Sequence, residues 1–359
     1  MPSDPPKPLF TLKGHDDPVY AAVFDPQNKL IATASFDKSV RLWDAASGKD
    51  LQKPLTGKNG HQGQVLCLAF APDGNVLASG GADNSVKVWE LNPAKPPAEP
   101  TPVKNFSHPN LVSSVAFNKD GTLLASGCND GFLRVWDMKT GQPAKQIKAH
   151  VSSANGKDNQ PDPVYAVAWS PDQKHLVTAS YDRTVKVWDA ASGNMVREIK
   201  GAKDVIVPDP KAPVEPGHRD QVFCLAFDSI GKFLATGSSD RTVKLWDFAA
   251  GTLVRDFPNP AFKPSGPGQQ HPSHPGFVHA VRFTADGAKL VTAGAAPAYK
   301  GYLAVWNVAD GKLLYGSETA HGPVYSADLS KDGAKLVLGC GQRTRGVTES
   351  DALVVAMPK

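Results

Sequence analysis

GHRDQVFCLAFDSIGKFLATGSSDRTVKLWD, residues 217 to 247, decides how the 359-residue chain is read. It opens on Gly217 and His218, passes through three short alternating apolar segments, and closes on Trp246 and Asp247. Glycine or Asp/Asn-type breaks separate the segments, which predicts three short strands joined by tight turns.

The same pattern lies on the chain six more times, with its histidine at His15, His61, His108, His150, His274 and His321. Six of the seven copies close on tryptophan: Trp43, Trp89, Trp136, Trp188, Trp246 and Trp306, with Val355 in that place in the last. In four copies the histidine-to-tryptophan step is the same, from 15 to 43, 61 to 89, 108 to 136 and 218 to 246. A long period bounded by GH and WD signals resembles the WD-repeat family of β-propellers, in which each repeat supplies one four-stranded blade. The phrase WDAASGK at 43 to 49 is similar to bacterial members that stand alone. The resemblance implies an all-β, seven-bladed propeller over 1–359, with blades near 18–55, 64–107, 111–149, 164–201, 221–258, 277–318 and 323–357. The last repeat ends just after Ala352 to Ala356, without room for a fourth strand, so a strand at 9–13 is expected to complete it. That closes the ring and removes two open sheet edges.

Length alone would allow two or three domains, but a fixed repeat argues for one closed body, read here as a monomeric propeller. There are 39 basic and 35 acidic residues, a net charge of +4, and no run of lysine or arginine. Nucleic acid is therefore not the default partner. Neither an apolar leader segment nor eighteen consecutive apolar residues occurs, which speaks against a membrane and makes a cytoplasmic location the default. The four cysteines are scattered; Cys67 and Cys224 fall at one place in two repeats and read as small buried hydrophobes.

Residues 2 to 8 are proline-rich and read as a tail, and the five prolines between 93 and 102 as a stiff exposed loop. From the fourth repeat on, insertions accumulate: between His150 and Val164, Trp188 and His218, Trp246 and His274, Thr292 and Trp306, and Gly341 and Asp351. Because adjacent strands alternate direction, all five are expected to emerge on one end of the ring, where recognition usually sits.

The resemblance also implies a buried hydrogen-bonded tetrad of histidine, hydroxyl residue, aspartate and tryptophan in each regular blade. It is expected to be complete three times: His15, Ser35, Asp37 and Trp43; His150, Ser180, Asp182 and Trp188; His218, Ser238, Asp240 and Trp246. Gly81 and Cys128 stand where the second and third repeats would carry the hydroxyl, the sixth lacks the aspartate, and the seventh lacks aspartate and tryptophan. Those blades are expected to be less rigid. Ser, His and Asp per repeat imitate a hydrolase triad, yet their recurrence assigns them to architecture and not to catalysis. His271, His274 and His279 offer imidazoles to a metal, but His274 holds the GH position and has a structural task. No phosphate-loop, zinc-protease or nucleophile-elbow signature occurs, and no cofactor is expected.

Two repeat positions point outward at the insertion-bearing end. The residue after the first-strand valine reads Tyr20, Leu66, Ser113, Tyr165, Phe223, His279 and Tyr325; the residue before the turn aspartate reads Phe36, Ala82, Asn129, Tyr181 and Ser239. Neither set keeps one residue type, as a purely structural position would. Lys300, Arg343 and Arg345 would add positive charge at the rim or remain solvated loop charges. Exposed aromatics on one rigid face suit interface anchors, so the expected function is a non-catalytic scaffold binding a protein or peptide through Tyr20, Phe36, Tyr165, Tyr181, Phe223, His279 and Tyr325. The rival readings are a small-ligand sensor or enzyme using the central channel, and a domain that positions neighbours in a larger protein.

Overall fold

A computed structural model describes residues 4–51, 53–92, 100–152, 160–200, 216–264, 270–344, 347–349 and 351–358. Among them there is no helix. Seven antiparallel sheets stand around a ring, and their innermost strands are Val19–Phe24, Val65–Phe70, Val112–Phe117, Val164–Trp169, Val222–Phe227, Val278–Phe283 and Val324–Leu329. Each inner strand touches that of the next blade, and the last touches the first. The protein is therefore a closed seven-bladed β-propeller. In the last blade Pro8–Leu12 pairs antiparallel with Ala352–Ala356, with Phe10 opposite Val354 and Leu12 opposite Ala352, so the two ends of the chain share one sheet. In the first blade the outermost segment makes only isolated bridges, Trp43 with Asp50 and Val40 with Leu55.

Period-two sequences bury both faces here because each blade is sandwiched between two others. The hydrophobic core lies between blades: Val185, Val187 and Ile199 of the fourth meet Val222, Leu234 and Trp246 of the fifth, and Val243, Leu245 and Phe257 of the fifth meet Val278, Leu290 and Trp306 of the sixth. The repeated tryptophan is thus the plug that each blade presses into its predecessor. Val355 fills the same place in the seventh, against Leu303 and Val305. The turn between the first two strands needs one left-handed residue per blade, supplied by glycine in five and by Asn28 (φ 58) and Gln173 (φ 62) in the others.

The tetrads require a correction. In the fifth blade the Trp246 indole N–H donates to Thr236 Oγ1 at 2.9 Å, Thr236 lies 2.7 Å from His218 Nε2, and His218 Nδ1 lies 3.1 Å from Asp240. Thr33 and Thr178 do the same for Trp43 with His15 and for Trp188 with His150. The hydroxyl is therefore Thr33, Thr178 or Thr236, not Ser35, Ser180 or Ser238. The two hydroxyl positions share one face of the strand, but Trp246 stands opposite Leu234, so its indole reaches the diagonal neighbour Thr236, whereas Ser238 lies two residues further on at the strand end. The serines instead bind the turn: Ser35 Oγ donates to the Asp17 carbonyl and accepts from the Asp37 N–H.

The same shift supplies the hydroxyl that the second and third blades were expected to lack. Ser79 joins Trp89, His61 and Asp83 in a complete tetrad, and Ser126 joins Trp136 and His108. In the third blade Asp130 pairs with Arg134 at 2.6 Å, and His108 Nδ1 turns to the Phe106 carbonyl at 3.1 Å. In the sixth, His274 Nε2 meets Thr292, its Nδ1 is buried without a partner, and Tyr302 stands edge-on above it, ring centroids 5.0 Å apart. Burial raises the carboxyls of Asp37, Asp83 and Asp182, but the hydrogen bond and charge of the partner histidine outweigh it and hold each at about 2. Burial, with the charge of Arg134, pushes His108 down to about 4 against the Phe106 carbonyl, and burial with the nearby His279 pushes His274 down to about 3.

Candidate protein-interaction face

Each inner strand carries an irregularity at its top. The ladder between the first two strands slips between Val19 and Ala21, Val65 and Cys67, Val164 and Ala166, Val222 and Cys224, Val278 and Ala280, and Val324 and Ser326. In the third blade it skips Ser113 between Val112 and Ser114. The skipped residue takes no part in the pairing and is turned out of the sheet, as β-bulges do. Those residues are Tyr20, Leu66, Ser113, Tyr165, Phe223, His279 and Tyr325, and all seven line the central channel. A bulge conserved through seven blades therefore aims seven side chains at one opening.

Five of these side chains form a continuous arc across neighbouring blades. Tyr165 meets Phe223 edge-on at 5.2 Å, Phe223 stacks on His279 at 5.3 Å, His279 tilts towards Tyr325 at 5.8 Å, and Tyr325 stacks on Tyr20 at 5.0 Å. Phe36 continues the stack from Tyr20 at 5.3 Å. Phe277, absent from the expected set, leans on Phe223 at 6.1 Å and is 49% exposed. Tyr181 is 39% exposed at the turn of the fourth blade and makes no ring contact with the arc. The second and third blades break the arc with Leu66, Ser113, Ala82 and Asn129.

Every titratable group in the arc is held neutral. Burial raises the hydroxyls of Tyr20, Tyr165 and Tyr325, Tyr165 to about 12, and lowers His279 to about 4. Tyr165 donates to Gln221 Oε1 at 3.2 Å. Deeper in the channel the sixth and seventh blades place a charged pair, Arg282 Nε to Asp328 Oδ1 at 3.1 Å. Asp328 also accepts the Phe24 N–H at 3.0 Å and Ser326 the Ala22 N–H at 2.9 Å, so the seventh blade is tied to the first from inside the ring. Arg282 and Asp328 went unremarked in the sequence, yet the equivalent residues are Val23, Ala69, Ala116, Ala168 and Ala226, and that break in pattern is legible.

Three expected insertions form hairpins of their own. Lys289–Ala296 and Lys300–Asn307 extend the sixth blade, with Ala298 and Tyr299 both at φ 58 and Tyr299 67% exposed. Lys300 pairs with Glu318 at 2.7 Å, which neutralises its charge on the rim. Val151–Ser152 pairs with Gln160–Pro161, and Gln342–Thr344 with Val347–Glu349. Arg345, most of the proline-rich loop (93–99) and much of the insertion before His218 (201–215) lie outside the described residues, as does the side chain of Arg343. His271 Nδ1 contacts the Pro272 carbonyl at 3.3 Å, while His274 is committed to Thr292 and His279 to the arc. The four cysteines are buried and form no disulfide.

Comparison with known proteins agrees with the architecture. The family model described as "WD domain, G-beta repeat" matches residues 6–44, 52–90, 100–137, 141–189 and 212–247, more than half of the chain. The protein groucho of Drosophila melanogaster is 27% identical over 234 residues, 58% of this chain and 28% of groucho. Cilia- and flagella-associated protein 52 of Chlamydomonas reinhardtii is 31% identical over 142 residues, 40% of this chain and 18% of that protein. Target of rapamycin complex subunit wat1 of Schizosaccharomyces pombe is 34% identical over 109 residues, 23% of this chain and 35% of wat1. The chain thus spans only a minor part of the length of the curated relatives it matches.

Proposed function

This chain belongs to the WD-repeat family of β-propellers, in the main a family of non-catalytic interaction scaffolds, and from that premise we propose that it binds a polypeptide across the face carrying the aromatic arc. The observation that carries the reading is the arc itself: side chains from five consecutive blades, turned out of their sheets by bulges and stacked on one another before any partner arrives. Such a surface loses little side-chain freedom on binding, so more of the contact energy appears as affinity. Phe277, Tyr181 and Tyr299 extend apolar exposure outward from the arc along the fourth and sixth blades. Aromatic anchors of this kind dominate interface energetics. One relative, wat1, is by name a subunit of a complex, which supports an assembly role. No helix among the described residues is long and apolar enough to cross a membrane.

The test is capture from lysate of the native organism by the wild-type chain and by a Tyr165→Ala, Tyr181→Ala, Phe223→Ala variant that circular dichroism shows to be folded. Specific proteins held by the first and lost by the second locate the face. Equal retention would move the site elsewhere on the ring.

A further inference from the structure

The channel is a cavity as well as a mouth. Beneath the arc it encloses about 410 Å³, within the range of roughly 300–1,000 Å³ usual for small-molecule sites. Ala21, Ala22, Ala166, Ala280 and Ala327 line its wall, and the rings of Tyr20, Tyr165, Phe223, His279 and Tyr325 border it.

The polar groups around it are few and unanswered. Asn129 Oδ1 is buried without a hydrogen-bond partner. Arg282 spends Nε on Asp328 and Nη1 on the Val281 carbonyl, and Nη2 has no protein acceptor among the described residues. The cavity therefore holds a buried acceptor without a donor, Asn129 Oδ1, and a solvent-reached donor, the Arg282 guanidinium, open to a further acceptor. Arg282 is the one charged side chain among the lining residues, and its charge is answered by Asp328, paired with it at 3.1 Å. Around them the rings of Tyr20 and Tyr325, 21° from parallel, and of Phe223 and His279, 22° from parallel, offer flat stacking surfaces.

We propose that the channel takes a small neutral planar ring that both donates and accepts hydrogen bonds, in the chemical class of the nucleobases. A charged ligand would leave water for a site with no free opposite charge, which is costly. An aliphatic ligand would forgo stacking on these rings. A purely donating or purely accepting ring would answer Arg282 or Asn129 but not both. That burial keeps His279 and the three tyrosines neutral agrees with such a choice. This site shares the rings of Tyr20, Phe223, His279 and Tyr325 with the proposed scaffold face, but a base binds the purified chain without any partner protein, so the NMR result is read independently of the capture from lysate.

The experiment is saturation-transfer NMR on the purified full chain with uracil, cytosine and adenine as probes, and with phenol, benzoate and benzylamine as controls. The expected result is transfer to at least one base in preference to benzoate and benzylamine. His279→Leu and Asn129→Leu, each with an unchanged circular dichroism spectrum, should weaken that binding about tenfold or more, which corresponds to about 1.4 kcal/mol. The proposal is overturned by absence of transfer to all three bases, by equal binding of the charged rings, or by unchanged affinity in both variants. Binding of phenol alone also overturns it and would make the cavity a socket for a tyrosine-like side chain.

Discussion

Removing a single hydroxyl from the fifth blade separates the two serine and threonine positions of the repeat. Thr236→Val keeps the shape of the side chain and deletes only Oγ1, which is fully buried and serves two partners, the Trp246 indole N–H at 2.9 Å and His218 Nε2 at 2.7 Å. Asp240 accepts from His218 Nδ1, so Nε2 is the acceptor and the threonine O–H its donor. Valine leaves both a buried donor and a buried acceptor empty, at about 1–3 kcal/mol each, and the expected loss is about 2–5 kcal/mol. Ser238→Ala removes a buried oxygen that binds the Asp220 carbonyl and the Asp240 N–H, both at 3.1 Å; Asp220 is exposed and its carbonyl can turn to water, so the expected cost is smaller, about 1–2 kcal/mol. Urea denaturation at neutral pH gives both values if the m-value is unchanged, and the indole N–H resonance of Trp246 reports whether its proton has become exchangeable. A loss below about 1 kcal/mol for Thr236→Val, or a larger loss for Ser238→Ala than for Thr236→Val, would refute the assignment of the bridging hydroxyl.

Trp246→Ala empties the plug between the fourth and fifth blades and should cost about 3–5 kcal/mol by the same urea measurement. Stability should fall as the solution is acidified from pH 7. His108 and His274 are held below the usual 6.5 in the folded chain, so the unfolded chain binds more protons below pH 6.5, and their contribution is lost towards about 4 and about 3. Each histidine adds at most about 1.4 kcal/mol per pH unit to that slope, and thermal melts of His274→Gln should show a shallower dependence. The carboxyls of Asp37, Asp83 and Asp182, also lowered, contribute above 3.8 and lose their contribution only as pH falls through about 2. Asp328→Ala strips both the Arg282 pair and the Phe24 N–H acceptor from the inner seam, and should lower the melting temperature more than Asp44→Ala, whose carboxylate caps an exposed turn.

The fold was legible because its signal is repetition: glycine–histidine, tryptophan and turn residues recur at spacings that no other architecture explains. The closing strand followed from counting segments in the last repeat. The tetrad hydroxyl was misplaced because Thr33 and Ser35 lie on the same face of one strand, and only the register, with Trp43 opposite Ile31, decides which of them the indole reaches; the resemblance alone did not fix that. Tyr20, Tyr165, Phe223, His279 and Tyr325 were readable as a set through their variation at a fixed position. Why they point into the channel was not readable, since a bulge is a property of pairing between two strands and leaves no mark in either one. Phe277 precedes the repeat valine and has no counterpart of similar size in the other blades, so it was invisible to a comparison of repeats.

The bulges have one more consequence. A residue left out of the ladder donates nothing to the sheet, and at these seven positions its side chain stands in the channel and not between blades. Tyrosine, leucine, serine, phenylalanine and histidine therefore occupy equivalent places without any change in the strands that carry them. The molecule thus separates the residues that hold its blades together from those that line its channel. A lineage that duplicates such a chain can exchange one anchor at a time and acquire a new specificity while the fold beneath it is left as it was.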